Sequence, residues 1–428
     1  MITKATSKIS LLLISIKVGF FLALRDIGRA SKWTTVLITF VMTLTFLNLI
    51  AVRGILVGLA AGISDTVRQR YSGDVIVSTL REKDYIIGTQ DIQSFLSKQP
   101  EVAAYTSRYI DNAKLESNYK DRKSVYDEVD NTSAFLAGID PEQENQVSNL
   151  SKYVIEGRYL NKDSEDEILV GSTLLFKYSP IDSPNQPTLK TADIGSKVRL
   201  TMNGHQREVT IVGIIKTKLQ TVDQRIYMNA SQVRKMIDRS DLNADEIAIH
   251  LNSHNEKTAK QLIKNMYFMD FDKQARIQTS AEAEPKFLAD IKMTFNILGN
   301  LIGSVGLVVA TITIFIVIFV NAVTRRRFIG VLKGIGVSSL AIEISYIFQS
   351  SFYAFVGVSF GTLIIYGALV PFFNANPINF PFSDGILVAE YDGTFIRAVI
   401  LFCATTVAGF IPARLIVKQN TLDAILGR

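Results

Sequence analysis

The sequence has one cysteine, one tryptophan and three histidines among 428 residues. A single cysteine excludes a disulfide scaffold and every metal site built from several cysteines. The dipeptide Gly-Lys is absent, so the chain has no phosphate-binding loop of the Walker type, and no His-Glu-x-x-His motif is present. We therefore expect no catalytic residue, no metal site and no cofactor in this chain.

Two of the three histidines are spaced like a pair of metal ligands. His250 and His254 have the four-residue spacing that would place two metal ligands on one face of a helix. The segment Glu246–Leu251 nevertheless alternates like a strand, and Asn252-Ser253 is typical of a turn after it. We expect the two rings to point apart, and no third ligand is apparent from the sequence.

Charged residues are scarce, at 20% of the chain, and apolar residues make up 48%. A helix needs about 20 mostly apolar residues to cross about 30 Å of hydrocarbon. Four segments meet this length, beginning near Thr34, Phe295, Ser345 and Thr394. The sequence therefore predicts four transmembrane helices, one followed much later by three.

The charges of the loops predict the orientation. Arg325, Arg326, Arg327 and Lys333 lie between the second and third spans, whereas 374–393 contains three acidic residues and no basic one. By the positive-inside rule, both termini and the Arg325 loop are cytoplasmic and the large domain lies outside. The basic residues of the cytoplasmic segments explain the net charge of +6, so we expect no nucleic acid partner.

The predicted organisation has nine parts. The first part is an amphipathic segment that we expect to lie along the cytoplasmic leaflet, because Lys17 interrupts its apolar run. The parts are a cytoplasmic or interfacial segment (1–32), transmembrane helix 1 with an outer extension (33–61), an extracytoplasmic α+β domain (62–286), helix 2 (287–324), a cytoplasmic coupling segment (325–343), helix 3 (344–373), an outer loop (374–393), helix 4 (394–418) and a cytoplasmic tail (419–428).

The α+β prediction for 62–286 rests on alternating patterns. Strand-like alternation occurs at Asp74–Ser78, Glu208–Ile215 and Glu246–Leu251, and helical spacing at Asp91–Lys98 and Glu256–Met266. Within the predicted spans, glycines recur at intervals that allow helices to pack closely, or that membrane helices simply tolerate. These candidate packing residues are Gly299, Gly303, Gly306, Gly357 and Gly361.

The cytoplasmic loop carries the most specific motif. Arg325–Ser338 reads RRRFIGVLKGIGVS, and the chain closes with IPARLIVKQNTLDAILGR. Both segments resemble the signatures of the FtsX/MacB-like permeases, the membrane subunits of type VII ABC systems. In the predicted outer domain, AGIDPE at Ala137–Glu142 and EGRYL at Glu156–Leu160 resemble the lipoprotein-releasing permeases most. Phe328 stands where the family commonly has an acidic residue.

The resemblance implies a MacB-like periplasmic core domain and a bacterial plasma (inner) membrane location. It implies a partner cytoplasmic ABC ATPase that binds ATP and Mg, a second permease copy or paralogue forming a dimer, and possible contact with an outer adaptor or lipoprotein carrier and with membrane lipids. The residues expected to contact the ATPase are Arg325, Arg326, Arg327, Ile329, Gly330, Leu332, Lys333, Gly334, Ile335 and Gly336.

Two functions remain open at this point. In the first, the chain is a permease subunit that converts ATP hydrolysis by its partner into motion of the outer domain, exporting or extracting a lipoprotein, lipid, peptide or drug. In the second, it is a regulatory protein of the same type that controls a cell-wall hydrolase or sensor kinase without transport. In either case the apolar spacing of Phe328, Ile329, Val331, Leu332 and Ile335 predicts a short helix, with Lys333 offering its charge to a partner.

Overall fold

The structure, a computed structural model, describes the chain except for Met1, 30–31, 121–127, 180–186, 377, 381–383, 386 and 419–428. For 2–11, 378–379 and 384–385 it describes the backbone alone. The predicted cytoplasmic tail, 419–428, lies outside the described residues.

The described helices, in chain order, are α1 (Ile2–Arg29), α2 (Lys32–Val67), α3 (Thr89–Leu96), α4 (Pro141–Ser148), α5 (Gln220–Asp223), α6 (Ala230–Met236), α7 (Glu256–Phe268), α8 (Lys286–Thr324), α9 (Arg326–Gly334), α10 (Ser339–Ile364), α11 (Val370–Ala375) and α12 (Tyr391–Val417). Two π-helical turns, Arg68–Ser72 and Ile365–Leu369, follow α2 and α10.

The described strands are β1 (Val75–Ser78), β2 (Val102–Glu116), β3 (Asn131–Ile139), β4 (Val154–Gly157), β5 (Glu167–Gly171), β6 (Lys197–Met202), β7 (His205–Ile215), β8 (Arg225–Asn229), β9 (Glu246–Leu251), β10 (Arg276–Thr279), β11 (Ile378–Asn379) and β12 (Asp384–Gly385). Contacts divide the chain into a helical unit (1–60, 290–379 and 384–428) and an α+β unit (61–289 and 380–383).

Among the described residues, four helical segments are long and apolar enough to cross a membrane: Lys32–Ser72, Lys286–Thr324, Ser339–Ala375 and Tyr391–Val417. They confirm the predicted order of one span, a large domain and three spans. The chain is therefore a membrane protein. The first of these segments continues helically to Ser72, well beyond the residues that the sequence assigned to the first span and its extension.

The helical unit has a core to which several of its spans contribute. Met42, Phe46 and Ile50 of α2 are buried together with Ile314 of α8 and Leu401 of α12. Because lipid is as apolar as these side chains, close packing rather than exclusion from water holds the helices together. Many apolar side chains on the outer faces of the same helices are exposed, as expected for a surface that meets lipid.

The α+β unit contains a ten-stranded sheet in the order β10-β1-β9-β2-β3-β8-β5-β7-β4, with β6 pairing with β2 and β7. At one end, β1, α3, β2, β9, α7 and β10 form a β-α-β-β-α-β arrangement of the ferredoxin-like kind. The chain between β2 and β9 supplies the other strands. The 15-residue β2 joins the two parts, since its first half pairs with β9 and its second half with β3.

Each part of the sheet has its own core. Val77, Ile92 and Leu262 belong to the cluster beneath α3 and α7, and Leu136 and Ile226 belong to the cluster of the second part. Burying an aliphatic side chain of this size contributes roughly 1.5–3 kcal/mol. The α+β unit therefore has the buried apolar residues of a folded domain, which confirms the predicted fold class.

Candidate functional site

The segment between α8 and α10 forms the short helix α9, which has one apolar face that is buried and one that is exposed. Ile329 is buried and Leu332 packs against the same core of the helical unit. Phe328, Val331 and Ile335 point away from that core and are 49%, 49% and 73% exposed. We call these three residues the exposed stripe. The predicted helix is present, and its apolar residues divide into an anchoring face and an outward face.

Two polar contacts brace α9 against other helices. Arg325, just before α9, donates from Nη1 to Asp26 Oδ1 of α1 at 2.7 Å. Lys333 Nζ donates to the Val417 carbonyl at the end of α12 at 2.9 Å. A cation at a helix C-terminus satisfies carbonyls that lack a partner and opposes the negative end of the helix dipole. Lys333 thus contacts its own chain in this structure, and its contact with a partner stays a prediction.

The other predicted contact residues differ in accessibility. Gly330 is buried beside Ile329, and Arg326 is half-buried. Arg327, Gly334 and Gly336 are exposed. Gly336 has a φ of +95°, a conformation that glycine adopts without strain and that lets the chain turn from α9 toward α10.

The predicted packing glycines fall into two groups, which differ in how closely a neighbouring helix approaches them. A Cβ on Gly357 would lie 2.5 Å from Met42 Cβ, and one on Gly361 would lie 2.6 Å from Phe46 Cδ1. These two glycines of α10 therefore allow close approach to α2. The α8 glycines are looser: added Cβ atoms would lie 3.3 Å from Arg53 (at Gly299), 3.9 Å from Leu49 (at Gly303) and 3.3 Å from Asn48 (at Gly306).

Sequence reasoning missed a third small-residue contact. Ser15, Gly19 and Ala23 recur every fourth residue of α1. A Cβ on Gly19 would lie 2.7 Å from Ile344 Cγ2, and Ser15 Oγ lies 3.1 Å from Ser338 Oγ. The predicted interfacial segment is therefore a helix packed alongside the first turns of α10. The small-residue spacing of α1 is visible in the sequence, and its position along the cytoplasmic leaflet stays a prediction.

The string Gly357–Gly361 also fits Gly-x-Ser-x-Gly, the pattern of a hydrolase nucleophile. That chemistry requires a sharp turn between a strand and a helix. Here the serine, Ser359, lies exposed in the middle of α10. The match is therefore a helix-packing pattern and not a nucleophile elbow.

A cavity of about 790 Å³ opens in the α+β unit. Ile63, Phe135 and Phe287 supply apolar walls, whereas Lys216 and Lys218 supply positive charge. Pockets of this size with apolar walls and a few polar groups are typical of sites for small or amphipathic ligands. This cavity could not be predicted from the sequence, because its walls come from segments far apart in the chain.

A buried ion network joins the two parts of the sheet. Arg108 of β2 and Glu144 of α4, each with a side chain 2% exposed, lie 2.7 Å apart. Arg225 and Arg108 both contact Glu246, at 3.1 and 3.3 Å, and Tyr71 donates to Glu246 at 2.7 Å. Burial alone would raise the pKa of Glu246, but the charges of Arg225 and Arg108 outweigh it and lower the pKa to about 2.

The two histidines converge, which corrects the expectation that they point apart. Their ring centroids lie 4.9 Å apart, and their Nδ1 atoms each lie 3.3 Å from an oxygen of Asp74. Burial opposes the ionisation of Asp74, yet hydrogen bonds from His250 and the Leu251 amide outweigh it and hold its pKa below the ordinary value. The third residue, Asp74, lies too far along the chain for the spacing rule to find.

Two solved structures illustrate what the chain is similar to. The periplasmic region of MacB from Actinobacillus actinomycetemcomitans is 16% identical, with a TM-score of 0.34, over 49% of this chain and 90% of that one. The extracellular domain of the noncanonic ABC-type transporter YknZ from Gram-positive bacteria is 13% identical, with a TM-score of 0.31, over 48% of this chain and 98% of that one. No curated relative matches the chain.

The model of the FtsX-like permease C-terminal family matches residues 300–421. The matched region contains most of α8, all of α9 with the exposed stripe, α10 and α12. The motif RRRFIGVLKGIGVS, on which the sequence resemblance depends, lies inside it. The match therefore confirms, for this C-terminal membrane region, the resemblance to FtsX-like permeases.

Proposed function

We propose that this chain is the permease subunit of an ABC transporter and that it couples ATP hydrolysis by a separate cytoplasmic ATPase to movement of its α+β unit. The observation that carries the proposal is the exposed stripe, which lies within the region that matches the FtsX-like family. ATP and Mg would be bound by the partner, since this chain has no phosphate-binding loop.

The exposed stripe has the chemistry of a docking surface. Phe328, Val331 and Ile335 are spaced as i, i+3 and i+7. Two of them lie on one side of α9, and Ile335, the residue that follows the helix, continues that side. An amphipathic helix that places such residues in an apolar groove is a recurring recognition mode. Full burial of such a side chain contributes roughly 1.5–3 kcal/mol. Phe328 and Val331 are half-exposed, so each would contribute about half of that in a partner, before the costs of association.

The anchoring of α9 supports a mechanical role. Ile329 and Leu332 pack against the core of the helical unit, and Arg325 and Lys333 contact α1 and α12. A force applied to the exposed stripe would therefore act on several helices together. Packed elements of this kind move as rigid bodies more readily than they deform.

We propose an amphipathic cargo, such as a lipoprotein, lipid, peptide or drug, handled on the outer side of the membrane. The cavity of about 790 Å³ supports this class, because it combines aromatic walls with the positive charge of Lys216 and Lys218. In this arrangement both termini and the Arg325 loop are cytoplasmic. A second permease copy or paralogue would complete the transporter, with an outer adaptor or lipoprotein carrier as a further partner.

Co-purification with co-expressed ABC ATPase subunits from the same organism tests the proposal. We expect Phe328→Asp and Ile335→Asp each to reduce ATPase retention by at least about tenfold, because the lost apolar contact and the cost of burying a carboxylate together exceed about 1.4 kcal/mol. Lys333→Glu is a poor probe, since it also removes the contact with the Val417 carbonyl.

Phe268→Asp is the matched control. Phe268 ends α7 in the α+β unit, is 90% exposed and undergoes the same change from a phenyl ring to a carboxylate. Retention should match that of the unaltered chain. Unchanged retention in both stripe variants, or equal loss in the control, would contradict docking through the exposed stripe.

A further inference from the structure

The convergence of Asp74, His250 and His254 goes beyond the transport proposal. The three residues belong to the α+β unit, and one ligand atom from each lies within 4.8 Å of the others. Two imidazoles and a carboxylate form the donor set of three-ligand zinc centres, with a fourth position open to water. We propose that these residues bind a single divalent transition-metal ion of the zinc class.

The sheet holds two of the ligands side by side. The Asp74 amide donates to the Ile249 carbonyl at 2.7 Å, and the Leu251 amide donates to Asp74 Oδ2 at 2.8 Å. Asp74 therefore flanks His250 across the pairing of β1 with β9. The hydrogen bond from Leu251 orients the carboxylate, which is how second-sphere donors prepare a ligand for a metal.

A tight turn brings the third ligand back. The Asn255 amide donates to the Ser253 carbonyl at 2.8 Å, and the Asn255 side chain caps the first turn of α7. This turn places the ring of His254 beside that of His250, with the two ring planes tilted by 44°. The ring positions therefore follow from backbone geometry and are not a chance meeting of long side chains.

The distances suit a small ion. Tetrahedral bonds of about 2.0–2.1 Å place two ligand atoms about 3.3 Å apart. His250 Nδ1 lies 3.3 Å from Asp74 Oδ2, and His254 Nδ1 lies 3.3 Å from Asp74 Oδ1, so each ring has its own carboxylate oxygen at that spacing. Arg68 also approaches Asp74, at 3.5 Å, but makes its shorter contact, of 2.6 Å, with Asp65.

The site is accessible and has room for further ligands. The side chains of His250 and His254 are 29% and 51% exposed, whereas that of Asp74 is 5% exposed. A cavity of about 170 Å³ adjoins Asp74 and His254, and Glu256 and Glu284 are among its walls. An ion bound here would link the start of β1, which follows α2 and its π-helical turn, to the turn between β9 and α7.

The test is metal binding by the full chain in detergent. After treatment with a chelator, we expect one Zn²⁺ per chain by calorimetry and d–d absorption bands when Co²⁺ is the probe. His250→Ala and His254→Ala should each weaken Zn²⁺ binding by at least about tenfold, since even outer-shell changes cost 10- to 100-fold. The double variant should lose the Co²⁺ bands. Asp74 is left unchanged because it also accepts the Leu251 hydrogen bond.

His205→Ala is the matched control. His205 is 50% exposed and lies 3.1 Å from Asp238, so it forms a histidine–aspartate pair without a second histidine. Its substitution should leave Zn²⁺ affinity unchanged, and Zn²⁺ should raise the Tm of the control but not of the double variant. The proposal is overturned if the unaltered chain binds no Zn²⁺, if the double variant keeps its affinity, or if His205→Ala weakens binding as much.

Discussion

Arg325 and Asp26 form an ion pair with 2.7 Å between Nη1 and Oδ1. The pair joins the start of α9 to the end of α1, and Gln349 Nε2 of α10 donates to the other Asp26 oxygen at 3.3 Å. Asp26 is the single acid among the basic residues before the first span. Its role is therefore to tie α1 to the segment that carries the exposed stripe.

Exchanging the two charges of this pair should show whether stability depends on the contact between the side chains or on the charge at each position. Arg325→Asp alone is expected to lower the free energy of unfolding by about 1 kcal/mol, since two carboxylates would then face each other. Arg325→Asp combined with Asp26→Arg should recover most of that loss. The measurement is the thermal unfolding of the purified chain in detergent, analysed as a double-mutant cycle. Additive losses would show that the two side chains do not interact.

The contact of α1 with α10 predicts a strong effect at Gly19. Gly19→Leu should destabilise the helical unit by roughly 1–3 kcal/mol, because the new side chain meets Ile344 and the Ala341 carbonyl. Gly28→Leu is the control within the same helix, since nothing lies within 4 Å of an added Cβ there. Thermal unfolding of both variants provides the comparison. Equal Tm values for the two would argue against close packing of α1 on α10.

The buried pair Arg108–Glu144 should be intolerant of single changes. Arg108→Met is expected to cost about 3–5 kcal/mol, because Glu144 would remain buried without its cation. Arg108→Met with Glu144→Leu should recover part of the loss. Lys260→Met is the control, since the Lys260–Glu256 pair is exposed and should have little effect on stability. Urea unfolding measures all three, and a small effect of Arg108→Met would contradict the network.

Glu246 predicts loss of stability in acid. Its pKa is about 2 in the folded chain and about 4.3 when unfolded. Its contribution is therefore complete above about pH 4.3 and is lost as the pH falls toward 2. Calorimetric unfolding between pH 5 and 2 should show a weaker pH dependence for Glu246→Gln than for the unaltered chain. An unchanged slope would show that Glu246 does not titrate in this range.

Cysteine labelling tests the proposed orientation. Cys403 is the chain's single cysteine and is exposed, so Cys403→Ser provides a background for Ile335→Cys and Phe268→Cys. A membrane-impermeant maleimide applied to cells with a permeable outer envelope should label position 268 but not position 335. Labelling of position 335 from the same side as position 268 would end the proposal that a cytoplasmic ATPase docks on the exposed stripe.

Much of the architecture was predictable because its signals are local. The apolar runs predicted the four spans, and alternation at Glu246–Leu251 matched β9 to the residue. The helical spacing near Glu256 predicted α7 within two residues of its end. Such patterns depend on neighbours a few residues apart, so they can be recognised without knowing the fold.

The division of the apolar residues of α9 was not predictable from the same patterns. Phe328 and Ile329 are adjacent and equally apolar, yet one is exposed and the other buried. Periodicity identified the helix but not which side meets the rest of the chain. That assignment depends on where α1, α10 and α12 lie around it.

The sequence by itself determined the membrane spans, the kind of outer domain and the motif of the permease family, because each is recorded in short stretches of chain. The tertiary structure alone decided the small-residue contact of α1 and the convergence of Asp74 with His254. Asp74 and His254 are 180 residues apart, and their meeting depends on the register of β1 against β9 and on the turn that follows. Register arises from the packing of the whole sheet, which no local pattern records.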